Sequence, residues 1–228
     1  MGTFLTVLFY SAYVFFLGRI VWRFFLFAGS RKQMQSEAAS EVRLSILILI
    51  KTAADVLFLS RLFKINRWLW LGEWLFHATF IFVLIWHLRY IMNPVPDWLA
   101  SYRAFGICSG YLLPLALLSV FVFKIKAKSS GYVSGYNFFI LSLLLLISVT
   151  GIFMKTVAKL DVASVKYFML GTLSFKPAPA PESMMFLIHF ITSLILIVYI
   201  PSHMFAAPYT MMEARKRDDE LKLVQHEK

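Results

Sequence analysis

The chain is 228 residues long and 60% apolar, with a mean hydropathy of +0.72 and only 15% charged residues, whereas a soluble globular domain is roughly 45–50% apolar. That surplus excludes a soluble domain and requires several helices that face lipid. The formal charge of +11 would suggest a nucleic-acid partner in a soluble protein, but here the basic residues flank apolar runs and act as topology signals, so no nucleic acid is expected.

The first predicted span covers residues 3–28. It lacks the basic start and the cleavage site of a signal peptide, and Arg19 and Arg23 lie towards its far end, where they can snorkel to the headgroups. Residues 44–63 are also apolar, but Lys51 and Asp55 stand near their middle. A central charge costs roughly 2.5–3.5 kcal/mol on insertion scales, so this segment reads as an interfacial or partly buried helix rather than a further span. The next span, residues 68–92, opens on an aromatic belt of Trp68, Trp70 and Trp74 and stops at Asn93-Pro94-Val95-Pro96. Residues 105–123 follow, closed by Lys124, Lys126 and Lys128, and then residues 136–154. A link over residues 155–182 ends in Pro177-Ala178-Pro179-Ala180-Pro181 and leads into the last span, residues 183–207. The expected fold is all-α: a five-span helical bundle with one extra interfacial helix. Residues 1–212 make up the membrane domain, and residues 213–228 form a charged cytoplasmic tail in which His226 is a solvent histidine.

With the N-terminus outside, only Arg89, Arg103, Lys155, Lys159, Lys166 and Lys176 face outward, and the other 17 of the 23 Lys and Arg face the cytoplasm, as the positive-inside rule requires. The C-terminus is then cytoplasmic, in a bacterial or archaeal cytoplasmic membrane.

The single cysteine, Cys108, excludes an internal disulfide, an iron–sulfur cluster held by this chain's cysteines alone, and the C-x-x-C-H attachment of c-type haem. Any cofactor must be held by other ligands. His77 and His87 lie ten residues apart on one span, about 15 Å along a helix; His189 and His203 lie fourteen apart on the last, about 21 Å. These two spans run in opposite directions, so His77 meets the depth of His203 and His87 that of His189. A lone intramembrane histidine is commonly a packing residue or part of a proton path. Four in two cross-helix pairs fit bis-imidazole ligation of two haem irons at two depths, and they lie too far apart for one zinc or copper ion.

Other residues carry two readings each. Arg89 can contact a haem propionate or a quinone oxygen, or simply snorkel, and Lys155 and Lys159 pose the same choice with snorkelling favoured. Glu73, one turn before His77, can accept its ring N–H or be solvated. Gly106 and Gly110 suit close helix packing, and Pro201 can bend the last span just before His203.

The block WLFHATFIFVLIWHLRYIMNPVPDW, with VKYFMLGTLSF and FLIHFITSLILIVYIPSH, resembles the membrane cytochrome b family that includes the gamma subunit of respiratory nitrate reductase. It is closer to the relatives in sulfate-reducer transmembrane redox complexes of the Dsr, Tmc and Hmc kinds. The resemblance implies five spans, two b-type haems, quinol chemistry near the outer haem and an iron–sulfur partner on the cytoplasmic side. It carries His77, His87 and His189 over as axial ligands. The family's fourth histidine falls on Ala207 here, and His203, one turn earlier, takes its place. Trp86 stands where the nitrate-reductase relatives carry glycine.

The expected function is a dihaem cytochrome b subunit that passes electrons across the membrane between menaquinone, or another quinone, and partner redox subunits. Those partners would be a cytoplasmic iron–sulfur protein, other membrane subunits and a periplasmic cytochrome c. A haem-free anchor or quinone-binding subunit and a histidine-relay proton transporter are the alternatives.

Overall fold

In the computed structural model of the chain, the described residues are 1–37, 54–55, 57–128 and 135–203. They are helical, with no strand among them. The helices are α1 (Gly2–Glu37), α2 (Ser60–Ile65), α3 (Arg67–His87), α4 (Asp97–Ser101), α5 (Arg103–Lys128), α6 (Gly135–Thr156), α7 (Val162–Leu173) and α8 (Met184–His203). Five are long and apolar enough to cross a membrane: Gly2–Leu26, Arg67–Tyr90, Arg103–Lys126, Gly135–Thr156 and Met184–His203. At 1.5 Å per residue each reaches about 30 Å or more, the thickness of the hydrocarbon core. The all-α five-span bundle expected from the sequence is therefore what the chain forms.

Local chemistry sets the helix ends. The Asn66 side chain caps α3 by accepting from the backbone N–H groups of Trp68 and Leu69 at 3.1 and 3.0 Å. The helix tightens into a 3-10 turn at Leu88–Tyr90 and stops before the two prolines. Asp161 caps α7 in the same manner, accepting from Ala163 and Ser164.

Two apolar clusters hold the bundle. In one, Leu113, Ala116, Leu117 and Val120 of α5 form a buried stripe at helical spacing that packs with Phe76 of α3, Leu144 of α6 and Leu196 of α8. In the other, Leu5 and Ala12 of α1 meet Phe168 of α7 and Phe186, Phe190 and Leu194 of α8. The large apolar side chains left exposed, such as Phe15 and Trp22 of α1 and Leu115 and Leu118 of α5, are lipid-facing in a membrane protein.

Side-chain contacts give the helix directions. Phe9 stacks near Phe190 while Arg19 and Arg23 both reach Ser202, so α1 and α8 run parallel. His87 lies beside His189 near the start of α8, so α3 runs antiparallel to it. The spanning part of α1 therefore ends on the side where α3 begins, and five spans account for the topology of the described helices. Of the expected interfacial helix, residues 44–53 lie outside the described residues. At its end, the Ser60 hydroxyl donates to the Asp55 carboxylate and the Trp70 indole N–H donates to the Phe58 carbonyl at 2.7 Å. The charged tail and His226 also lie outside.

The helix α7 lies within the link expected over residues 155–182. Twelve residues span only about 18 Å, too short to cross. It packs instead over the end of the bundle near His189, with Phe168 and Thr172 fully buried. The Thr172 hydroxyl lies 3.2 Å from that of Thr6, and its carbonyl accepts from the Tyr10 hydroxyl.

Candidate functional site

The two histidines of α3 share one local device. The Nδ1 of His77 lies 2.7 Å from the Glu73 carbonyl, and the Nδ1 of His87 lies 2.7 Å from the Val83 carbonyl. Each ring nitrogen next to the backbone donates one turn back, which fixes the tautomer and leaves Nε2 with its lone pair available to a metal.

His189 is held across helices. Its Nδ1 lies 3.0 Å from the Ile147 carbonyl and 3.1 Å from the Thr150 hydroxyl, both on α6. Gly151 makes this possible: a Cβ there would lie 3.3 Å from His189 Cε1. The missing side chain lets the imidazole reach a carbonyl that would otherwise be screened. His87 and His189 come together with ring centres 6.4 Å apart and planes 10° from parallel. The two rings would together hold one metal ion, such as a haem iron, for which imidazole is a suitable ligand.

At the opposite end, His203 lies within electrostatic reach of Lys124, Glu73 and His77. The Glu73 carboxylate is 2.7 Å from the Lys124 ammonium on α5 and 3.9 Å from His77 Nδ1. The Glu73 backbone carbonyl therefore holds the His77 ring, and its carboxylate is committed to an interhelix ion pair. Among the described residues no three His, Cys, Asp or Glu side chains converge as a metal site.

Arg89 is not a freely snorkelling side chain. Its guanidinium carbon lies 4.4 Å from the Trp86 ring centre and 4.6 Å from that of Tyr90, and an Nη donates to the Tyr90 hydroxyl. Its Nε is buried without a hydrogen-bond partner among the described residues, and so is the Tyr102 hydroxyl. Desolvation pushes the Tyr102 phenol above its ordinary pKa and keeps it a neutral donor. Buried donors without partners are costly. A carboxylate or carbonyl oxygen brought by a bound group would satisfy them. Trp86 itself packs on Gly106, where a Cβ would lie 2.4 Å from its Cγ, while a Cβ at Gly110 would meet nothing within 4 Å. Gly106 thus makes room for one indole of the neighbouring α3. Lys155 rests over the Tyr111 ring at 5.1 Å, and Pro201 is fully buried.

Sequence reading missed the α6 residues Ile147, Thr150 and Gly151 and the partner Lys124. The signal for the first was Thr150-Gly151 inside an otherwise Leu- and Ile-rich span. The signal for the second was a lysine facing a glutamate at the same membrane boundary.

No protein-family model matches the chain, and no solved structure does. Among curated proteins it is similar to the Hdr-like menaquinol oxidoreductase cytochrome b-like subunit of Archaeoglobus profundus. The two are 32% identical over 153 residues, 60% of this chain and 45% of that protein. The protein of the same description from Archaeoglobus fulgidus is 29% identical over 156 residues, 60% of this chain and 46% of that one. The chain thus spans less than half the length of the curated relatives it matches. Both are cytochrome b-like subunits, so the resemblance read from the sequence holds.

Proposed function

We propose that this chain is a membrane cytochrome b-like subunit that holds two b haems and exchanges electrons with a menaquinol or related quinone pool. His87 and His189 hold one iron, and His77 and His203 hold the other. When bound, each haem supplies a one-electron redox centre whose potential its axial ligands and nearby charges set.

The rest is the work of the chain's own residues. The carbonyls of Glu73, Val83 and Ile147 orient three of the imidazoles and leave Nε2 free to bind. Arg89, braced between Trp86 and Tyr90, offers its unpartnered Nε to a propionate or quinone oxygen. The short helix α7 covers that end and excludes water. Its Lys166 donates to Asn93 at 3.1 Å, which ties it to the loop that follows α3.

The observation that carries the reading is the His87–His189 pair, near-parallel and 6.4 Å apart in an apolar bundle. The curated relatives, named as menaquinol oxidoreductase subunits, support the quinone. In the membrane, the N-terminus lies outside and the lysine-rich side faces the cytoplasm, where an iron–sulfur subunit would dock beside the His77–His203 pair. A periplasmic cytochrome c on the other side would complete the chain of carriers. A pyridine haemochromogen assay on the purified protein should return two b haems per chain, with partial reduction on adding a menaquinol analogue. A preparation free of haem would refute the proposal.

A further inference from the structure

Arg19 and Arg23 of α1 do not extend away from the bundle. An Nη atom of each lies 3.2 Å from the same Ser202 hydroxyl oxygen on α8, and the Arg19 guanidinium also lies 5.9 Å from the centre of the Tyr199 ring. Two like charges thus converge on one neutral oxygen, which can accept both hydrogen bonds but offsets neither charge. Among the described residues no carboxylate lies within ion-pair distance of either arginine. A pair of forked donors in this arrangement suits an oxyanion.

The same arginine closes an apolar depression. Val14, Phe15, Gly18, Arg19 and Trp22 line an open notch of about 330 Å³ on the outer face of α1. Phe15 and Trp22 stand at its two ends along the helix, each 64% exposed, and a Cβ built on Gly18 would meet nothing within 4 Å. Arg19 lies about 25 Å along the helix from Gly2, close to the far edge of a hydrocarbon layer about 30 Å thick. The notch therefore spans the boundary between acyl-chain and headgroup depth, with Arg19 in its outer half and Trp22 at its outer edge. A ligand that fits has a net negative head and a hydrocarbon tail.

We propose that Arg19, Arg23 and the notch over Gly18 form a binding site for an anionic phospholipid. Its phosphodiester bridges the two guanidinium groups, and one acyl chain descends over Gly18 and Phe15. Basic pockets between membrane helices bind anionic headgroups in this way. The site is independent of the haem assignment, although a propionate is the competing oxyanion because Ser202 adjoins His203.

The full-length protein, delipidated in detergent, is mixed with micelles containing phosphatidylglycerol or phosphatidylcholine, and the retained lipid phosphorus per protein is measured after gel filtration. The wild type should retain phosphatidylglycerol in preference to phosphatidylcholine. In R19Q/R23Q that retention should weaken roughly ten-fold, with haem content unchanged. G18L, which fills the notch without a clash, should weaken it several-fold with both arginines in place. Equal retention of the two lipids by the wild type would overturn the site, as would unchanged phosphatidylglycerol retention in both variants. Loss of haem from R19Q/R23Q with lipid retention intact would instead assign the arginines to a propionate.

Discussion

The two ends of the bundle each present two histidines, in different settings. At the His87–His189 end the rings are held by backbone carbonyls and a threonine hydroxyl, backed by Gly151, roofed by the buried face of α7, and flanked by one arginine stacked on aromatic rings. At the His77–His203 end the surroundings are an interhelix ion pair, Glu73–Lys124. One site is built by packing and the other by charge. Small changes in volume should therefore damage the first, and small changes in charge should retune the second.

The largest effect is expected from removing a ligand. His189→Ala should release the haem of its own end, leaving one b haem per chain in the pyridine assay. The apparent thermal stability should fall as well, because a group bound at a hundred times its dissociation constant contributes about 2.7 kcal/mol. Next comes shape. Gly106→Ala should cost about 1–3 kcal/mol of overpacking against Trp86, and adding Trp86→Gly should recover part of that loss in thermal unfolding of the double variant. Gly151→Val should push the His189 ring off its carbonyl and weaken haem retention at that end roughly ten-fold, while the other haem stays. The smallest effects belong to the charged end. Glu73→Gln removes a negative charge beside His77 and should raise the midpoint potential of that haem alone. Lys124→Met removes a positive charge and should lower it. Optical redox titration would read both shifts.

The spans were legible because runs of this length and hydropathy have few other uses, and the predicted boundaries differ from the observed ones by a few residues. The pairing of the histidines follows from the parity of the crossings, and the rings of His87 and His189 lie 6.4 Å apart. What stayed hidden depends on helix rotation. α6 is apolar nearly all round, so its sequence does not say which stripe meets α8, and Thr150-Gly151 could not be tied to His189 in advance. Glu73–Lys124 joins residues 51 positions apart in sequence, a contact that no local pattern encodes. The helix α7 was hidden for another reason: it is too short for a span, and its apolar face reads as link until Phe168 is seen to be buried against Phe186 and Phe190.

The most direct test of the paired arrangement is an optical redox titration of four single variants: His77→Ala, His87→Ala, His189→Ala and His203→Ala. They should fall into two classes, with His87→Ala and His189→Ala losing the same haem and His77→Ala and His203→Ala losing the other. Four variants that all keep both haems, or a division that couples His87 with His77, would contradict the two-pair site.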